Sequence, residues 1–149
     1  MKRRLSGEEM ERIFSYMEEG FGISLDYSKY EYNISPKGKV FISVPSPNMG
    51  TRFHVNTGLP FVRLSRRGTI KPTTAFIQLF GRLATRGIVK ISAEDAKRFA
   101  NGEDVKTSSK EEGYVIVRQG KYDLGVALLK EGILGNMIPK GKRMKVELI

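Results

Sequence analysis

The apolar residues at the start of the chain follow the period of an amphipathic helix. Ser6 and Glu9 occupy the two positions of a capping box, in which the serine side chain accepts from the Glu9 amide and the glutamate reaches back. Apolar residues then recur at intervals of three and four: Met10, Ile13, Phe14 and Met17. We therefore predict a helix over residues 7–19, ended by Gly20.

A change of period to two predicts a β-hairpin over residues 30–44. Tyr30, Tyr32 and Ile34 alternate with polar residues, and a second alternating run follows after a turn that contains Gly38. The prolines at positions 45 and 47 lack the amide donor that a strand ladder needs. We therefore expect the pairing to end there and a loop to begin.

The middle of the chain predicts a strand, a basic turn and a second helix. Residues 58–64 have the composition of a short strand, and Pro72 suits the first turn of a helix. An apolar arc follows at Phe76, Ile77, Leu79, Phe80 and Leu83. We expect this helix to end at Gly87.

Short strands with tight turns dominate the rest of the chain. We predict a strand over residues 88–91, a short helix that begins at Ser92 and closes at Asn101 and Gly102, and a polar loop over residues 106–113. A hairpin then joins residues 113–118 and 124–129, and residues 146–149 form a last strand. This spacing is typical of a small, partly closed barrel.

These elements predict an α+β fold of two small units. The first, over residues 1–60, is a helix with an antiparallel sheet. The second, over residues 61–149, is a mixed β-barrel with short helices.

The charge of the chain is positive and unevenly distributed. Of its 149 residues, 26 are Lys or Arg and 16 are Asp or Glu, which gives a net charge of +10. Residues 61–91 contain no acidic residue. Two basic clusters result, the hairpin cluster Arg63, Arg66, Arg67 and Lys71, and the tail cluster Lys140, Lys142, Arg143 and Lys145. Such clusters are typical of surfaces that contact phosphates.

The residue types argue against catalysis. The chain has no cysteine and one histidine, His54, so disulfides, thiolate metal sites and cysteine nucleophiles are excluded. No phosphate-binding glycine loop is present. The adjacent carboxylates Glu103 and Asp104 are better explained by a solvated loop than by a magnesium site. We expect a protein that is not an enzyme, has no cofactor or metal and works in the cytoplasm without contacting a membrane.

Several segments taken in order resemble a known RNA-binding region. They are residues 70–76 (IKPTTAF), 79–85 (LFGRLAT), 93–99 (AEDAKRF), 102–105 (GEDV), 113–118 (GYVIVR) and 124–127 (LGVA), continued through Asn136 to Lys140. Together they resemble the C-terminal PUA-like region of the RsmF and Nol/Nop/Sun group of RNA cytosine-C5 methyltransferases. The resemblance covers residues 58–143, and residues 6–44 are more loosely similar to the pre-PUA portion of that group.

The resemblance implies an RNA surface and a division of the chain. It implies a pre-PUA-like unit over residues 1–60 and a PUA-like RNA-binding domain over residues 61–149. The RNA-contacting positions carried onto this chain are Lys97, Arg98, Gly102, Lys106, Lys140, Lys142, Arg143 and Lys145. The hairpin cluster is added to these RNA-contacting positions only because of its positive charge.

The resemblance also implies a function without methyl transfer. The methyltransferases of that group have an S-adenosylmethionine domain and a nucleophilic cysteine, and this chain has neither. A free-standing RNA-binding protein is implied, accessory to rRNA or tRNA modification or to ribosome assembly. Its partner is rRNA or tRNA, with a separate RNA methyltransferase or ribosome-assembly factor as a further partner.

Two alternatives stay open at the level of sequence. The chain could be a protein interaction module that targets a separate RNA methyltransferase, which an exposed apolar patch around Phe53 and Leu59 would indicate. It could also be an enzyme on a PUA-like scaffold, which a deep pocket at His54 with nearby carboxylates would indicate.

Overall fold

The structure is a computed structural model that describes residues 2–45 and 58–138. The first sheet is antiparallel, with its strands in sequence order: β1 (Arg3–Arg4), β2 (Glu31–Ile34), β3 (Lys39–Ser43), β4 (Leu59–Leu64) and β5 (Ile70–Pro72). The helices are α1 (Gly7–Phe21), α2 (Thr74–Phe80) and α3 (Ala93–Ala100). The second sheet consists of β6 (Ile88–Lys90), β7 (Val105–Lys106), β8 (Gly113–Gln119), β9 (Tyr122–Lys130) and β10 (Ile133–Asn136).

The predicted α+β fold class is confirmed. The second sheet has the order β6-β8-β9-β10-β7 and curls into a half-barrel. It is mixed, because β6 pairs with β8 in parallel whereas the other pairs are antiparallel. The predicted hairpins at residues 30–44 and 113–129 are present as β2–β3 and β8–β9.

Helix α1 begins at the predicted capping box and ends later than predicted. Gly20 lies inside the helix, and the helix ends at Phe21. Gly22 adopts the left-handed conformation, with φ of 66°, and its amide donates to the Glu18 carbonyl at 2.9 Å. Phe21 is buried four residues after Met17, so burial of this apolar face carries the helix past Gly20.

The prediction that Pro72 opens the second helix was wrong. Pro72 is the last residue of β5, an edge strand, where a missing amide donor leaves no ladder bond broken. The cap is Thr73, whose hydroxyl accepts from the Phe76 amide at 3.1 Å. The helix also ends at Phe80 rather than at Gly87, and a 3-10 helix follows over Gly81–Leu83.

Two members of the predicted apolar arc are exposed. Leu79 is 51% exposed and Leu83 is 38% exposed, whereas Phe76 and Ile77 are fully buried. The helix has only 7 residues and ends at Phe80, so it is too short to bury a wide apolar face. The predicted apolar arc therefore contained more positions than the helix buries.

Four strands were absent from the sequence prediction. They are β1 and β7, of two residues each, β5, which replaces the end of the predicted basic turn, and β10. The β10 segment contains glycine and asparagine, which are uncommon in strands, and its pairing with β9 holds it in the sheet. The predicted last strand at residues 146–149 lies outside the described residues.

The buried side chains form two clusters. One lies between α1, α2 and the first sheet and includes Ile116 and Val126 of the second sheet, so this core is shared. The other fills the second sheet and is covered by Phe99 of α3. The predicted division between residues 60 and 61 falls inside β4, and the division of the chain into two units stays a prediction.

Candidate nucleic-acid interface

The hairpin cluster lies on the last two strands of the first sheet. Arg63 of β4 and Lys71 of β5 are directly paired in the ladder, so both side chains point to the same side of the sheet. Arg66 and Arg67 are exposed in the turn between these strands. The turn closes through Gly68, which has φ of 86°. The structure thus brings together all four residues that the sequence grouped by charge.

Lys39 extends this group, although its position in the sequence gives no sign of it. Lys39 of β3 is paired with Arg63, which is itself paired with Lys71. Burial is the main cause of a lowered pKa at Lys71, and the positive charge of Arg63 lowers it further. Only strand pairing across the sheet could have revealed Lys39, because it lies far from the cluster in sequence.

Arg12 also joins the hairpin cluster from outside. Its guanidinium Nη2 donates to the Gly68 carbonyl at 2.9 Å, which attaches the turn to α1. A Cβ at position 68 would lie 2.6 Å from that nitrogen, so the Arg12 guanidinium would have to shift, and the positive φ of this residue favours glycine. Within the described part of the chain, no carboxylate forms an ion pair with any of the four cations of the cluster.

The second predicted surface is built around the end of α3. Lys97 and Arg98 are exposed in its last turn. Gly102 follows with φ of 94°, and its amide donates to the Phe99 carbonyl at 3.0 Å. Arg98 forms an exposed ion pair with Asp95 at 3.2 Å, a kind of contact that contributes about 0.5 kcal/mol or less. The guanidinium therefore remains available to a phosphate.

Asn136 connects this glycine turn to the end of β10. Its side-chain amide donates to the carbonyls of Phe99, at 2.6 Å, and Glu103, at 3.0 Å. Its backbone amide donates to the Asp104 carboxylate at 2.8 Å, and its Oδ1 accepts from the Ile138 amide at 2.9 Å. Asp104 thus has a structural partner. The described chain ends at Ile138, next to the turn, and the tail cluster follows along the sequence.

Lys106 lies at the neighbouring edge of the second sheet. It is exposed on β7, where it pairs with Ile133 of β10. The loop that follows lines a cavity of about 370 Å³, whose charged residues are Glu111, Glu112, Glu131 and Lys110, so the lining is negative on balance. This acidic lining does not suit a polyanion, so Lys106 marks the border of the basic surface. The four tail-cluster residues lie outside the described residues.

The remaining candidates find little support in the described part of the chain. His54 and Phe53 lie outside the described residues, and Leu59 is partly buried against the shared core. Among residues 2–45 and 58–138, no three His, Asp or Glu side chains group as a metal site would require. None of the helices in this part of the chain is long and apolar enough to cross a membrane.

Tyr122 is an exposed aromatic ring at the tip of the β8–β9 hairpin. Its side chain is 61% exposed, and the ammonium of Lys121 lies 5.9 Å from the ring centroid. The sequence is compatible with two roles for this tyrosine, stacking on an unpaired base and packing over the turn. The exposure leaves the ring accessible to a base.

Comparison with known proteins relates the C-terminal part of the chain to a PUA domain. Residues 86–144 match the family model described as the methyltransferase RsmF PUA domain. This part of the chain is a PUA-like region, and the match does not extend to a methyltransferase domain. A PUA domain suggests RNA binding. No curated protein matches the chain.

One solved structure shares the fold over nearly the whole chain. It is a hypothetical protein, PH0734.1, from the hyperthermophilic archaeon Pyrococcus horikoshii OT3, and it is similar with a TM-score of 0.59 at 17% sequence identity. The similarity covers 96% of this chain and 88% of the archaeal chain. At this identity the similarity shows the fold and nothing more.

Proposed function

We propose that this protein binds RNA through the end of α3, the glycine turn after it, the edge strand β7 and the basic tail. One observation carries the proposal: the segment that matches the RsmF PUA domain is also the segment in which Asn136 joins the glycine turn to the end of β10, after which the tail follows in the sequence. This connection supports a single surface that contains Lys97, Arg98 and Gly102 together with the tail cluster.

The chemistry of this surface suits a folded RNA with unpaired nucleotides. The cations supply affinity by neutralising phosphates, and Gly102 lets the RNA backbone approach the protein backbone closely. Specificity then comes from the shape of the RNA and from bases that are flipped out or unpaired.

The role that fits such a surface is accessory rather than catalytic. We place the protein with rRNA or tRNA modification or ribosome assembly in the cytoplasm, where a separate RNA methyltransferase or assembly factor acts on the bound RNA. The PUA match supports this role because it concerns the non-catalytic domain of a methyltransferase family. Crosslinking the purified protein to total cellular RNA, followed by sequencing, identifies the RNA class, and recovery of rRNA or tRNA no more often than by chance would contradict this assignment.

The test of the surface compares two variants with equal loss of charge. In the first, the tail-cluster residues Lys140, Lys142, Arg143 and Lys145 are changed to Ala. In the second, four exposed basic residues elsewhere are changed to Ala: Lys29, Arg82, Lys90 and Lys110. We expect the tail variant to lose about 1 kcal/mol or more of binding free energy per phosphate contact, and the control to lose far less.

Binding to a structured rRNA fragment is measured at one salt concentration, with the melting temperatures checked. Equal losses in the two variants would show that net charge alone attracts the RNA, and the proposed surface would then be wrong. An unchanged tail variant would have the same consequence.

A further inference from the structure

The outer face of the first sheet is strongly basic. Helix α1 and the shared core cover the opposite face. Strand alternation places five cations on the outer face: Lys2, Arg4, Lys39, Arg63 and Lys71. Among the described residues of this face, Glu31 is the single carboxylate, and Arg4 binds it at 2.7 Å. The face therefore carries a local excess of positive charge.

Three of these cations form a straight row across the sheet. Lys39, Arg63 and Lys71 lie in register on β3, β4 and β5, and neighbouring strands are about 4.8 Å apart. The register shifts between Val40 and Phe41, which leaves one extra residue on β4. Because of this bulge, the consecutive residues Phe61 and Val62 of β4 are both fully buried. Arg63 nevertheless remains in register with Lys39 and Lys71.

This row is unfavourable for the free protein. Like charges that face each other directly across a sheet destabilise it, and no carboxylate pairs with any member of the row among the described residues. The arrangement becomes favourable when a chain of negative charges lies across the strands. Polyanion binding therefore explains a feature that folding alone does not require.

Phe41 adds an aromatic ring to the same face. It follows Lys39 by two residues on β3 and is partly exposed. The ammonium groups of Lys2 and Lys39 lie 4.1 Å and 5.7 Å from the ring centroid. A partly exposed ring among cations is the combination with which proteins bind single-stranded nucleic acid, because bases stack on the ring while phosphates contact the cations.

We propose that the outer face of the first sheet binds a single-stranded segment of RNA, with its phosphates along the row of Lys39, Arg63 and Lys71 and a base stacked on Phe41. In the complex, the base lies against the Phe41 ring where the Lys2 ammonium lies in the free protein, and the displaced ammonium contacts a phosphate instead. This inference rests on the proposed RNA-binding function and assigns it a second contact surface, outside residues 86–144, which match the PUA domain.

The chain offers a direct reporter for the stacked base. It contains no tryptophan, so Phe41→Trp creates a single fluorophore at the proposed stacking position. We expect a short oligouridine to quench its fluorescence in a saturable manner. Leu79→Trp places the same fluorophore at an exposed site on α2 and serves as the control, for which we expect little quenching.

Affinity measurements test the row and the ring separately. We expect Phe41→Leu to weaken oligouridine binding at least about fivefold, because one stacked base contributes about 1 kcal/mol or more. Lys39→Gln, Arg63→Gln and Lys71→Gln combined should weaken it more. The control for net charge is Lys29→Gln, Lys90→Gln and Lys110→Gln combined, which removes the same charge from other exposed positions.

The outcomes separate this inference from the proposed function. If the wild type binds structured rRNA while Phe41→Leu binds oligouridine like the wild type, and the row variant (Lys39→Gln, Arg63→Gln and Lys71→Gln combined) binds it like the net-charge control, the second surface is wrong and the proposed function stands. If the wild type binds neither RNA, both are wrong. Binding to anionic phospholipid vesicles that is tighter than RNA binding and is lost in the row variant would overturn the assignment to RNA.

Discussion

Arg118 and Asp123 form a part-buried ion pair that closes the β8–β9 hairpin. The guanidinium Nε lies 2.7 Å from the Asp123 carboxylate, and the two side chains are only 17% and 5% exposed. Arg118 also donates to the Gly81 carbonyl at 2.9 Å. The pair therefore attaches the segment after α2, which leads into the PUA-like region, to the second sheet.

Removal of one partner should destabilise the protein strongly. We expect Asp123→Ala to lower the free energy of unfolding by about 2 kcal/mol, because Arg118 is then left as a largely buried charge without a counter-ion. Chemical denaturation measures this change. The control is Glu31→Ala, which breaks the exposed pair with Arg4 and should cost no more than about 1 kcal/mol. Equal losses would contradict the structural role of the pair.

Two neighbouring threonines at the start of α2 should respond in opposite directions when changed to valine. The Thr73 hydroxyl accepts from the Phe76 amide and donates to the Pro60 carbonyl at 2.7 Å, so Thr73→Val should cost about 1–2 kcal/mol. The hydroxyl of Thr74 is buried without a hydrogen-bond partner among the described residues. Thr74→Val should therefore leave the melting temperature unchanged or raise it. A loss of stability in Thr74→Val similar to that in Thr73→Val would contradict this account.

Acid should weaken the N-terminal cap of α1. The hydrogen bond from Arg3 is the main cause that lowers the pKa of Glu9 from 4.5 to about 2, and the Ser6 amide contributes. Because the folded state favours the ionised carboxylate, the stabilisation is fully present above the unfolded pKa of 4.5. It is lost as the pH falls from there toward about 2.

The measurement is the unfolding free energy of wild type and Glu9→Gln across this range. We expect the difference between them to be constant above the unfolded pKa and to narrow on acidification. A difference that does not depend on pH would show that the Arg3 and Ser6 contacts do not favour the charged form.

Affinity for RNA should fall steeply with salt. Each phosphate contact on single-stranded RNA contributes a slope of about −0.7 to the plot of log affinity against log salt concentration. About four to seven contacts from the basic clusters give a slope between about −3 and −5. Fluorescence anisotropy at several salt concentrations measures it, and a slope near zero would contradict electrostatic recognition.

The purified chain should not methylate RNA by itself. It has no cysteine to attack C6 of cytosine and no glycine-rich cofactor loop. Incubation with labelled S-adenosylmethionine and ribosomal RNA should therefore give no transfer above background. Robust transfer by the pure chain would disprove the accessory role.

The sequence by itself determined the elements that depend on local chemistry. The capping box at Ser6 and Glu9 starts α1 as predicted, and Ser92 caps α3, because each cap needs only residues one turn apart. The two hairpins were predictable for the same reason, since alternation and a turn are both local. The motifs within residues 86–144 likewise indicate a PUA-like region through their order along the chain.

Tertiary structure decided what depends on distant partners. Phe21 keeps α1 helical past Gly20 because it is buried, and β10 exists because β9 pairs with it. The row of Lys39, Arg63 and Lys71 follows from strand register across the first sheet, and charge counts along the chain placed only two of its members together. Register depends on which strands meet and on a bulge at their junction, and neither is encoded in the spacing of residues along one segment.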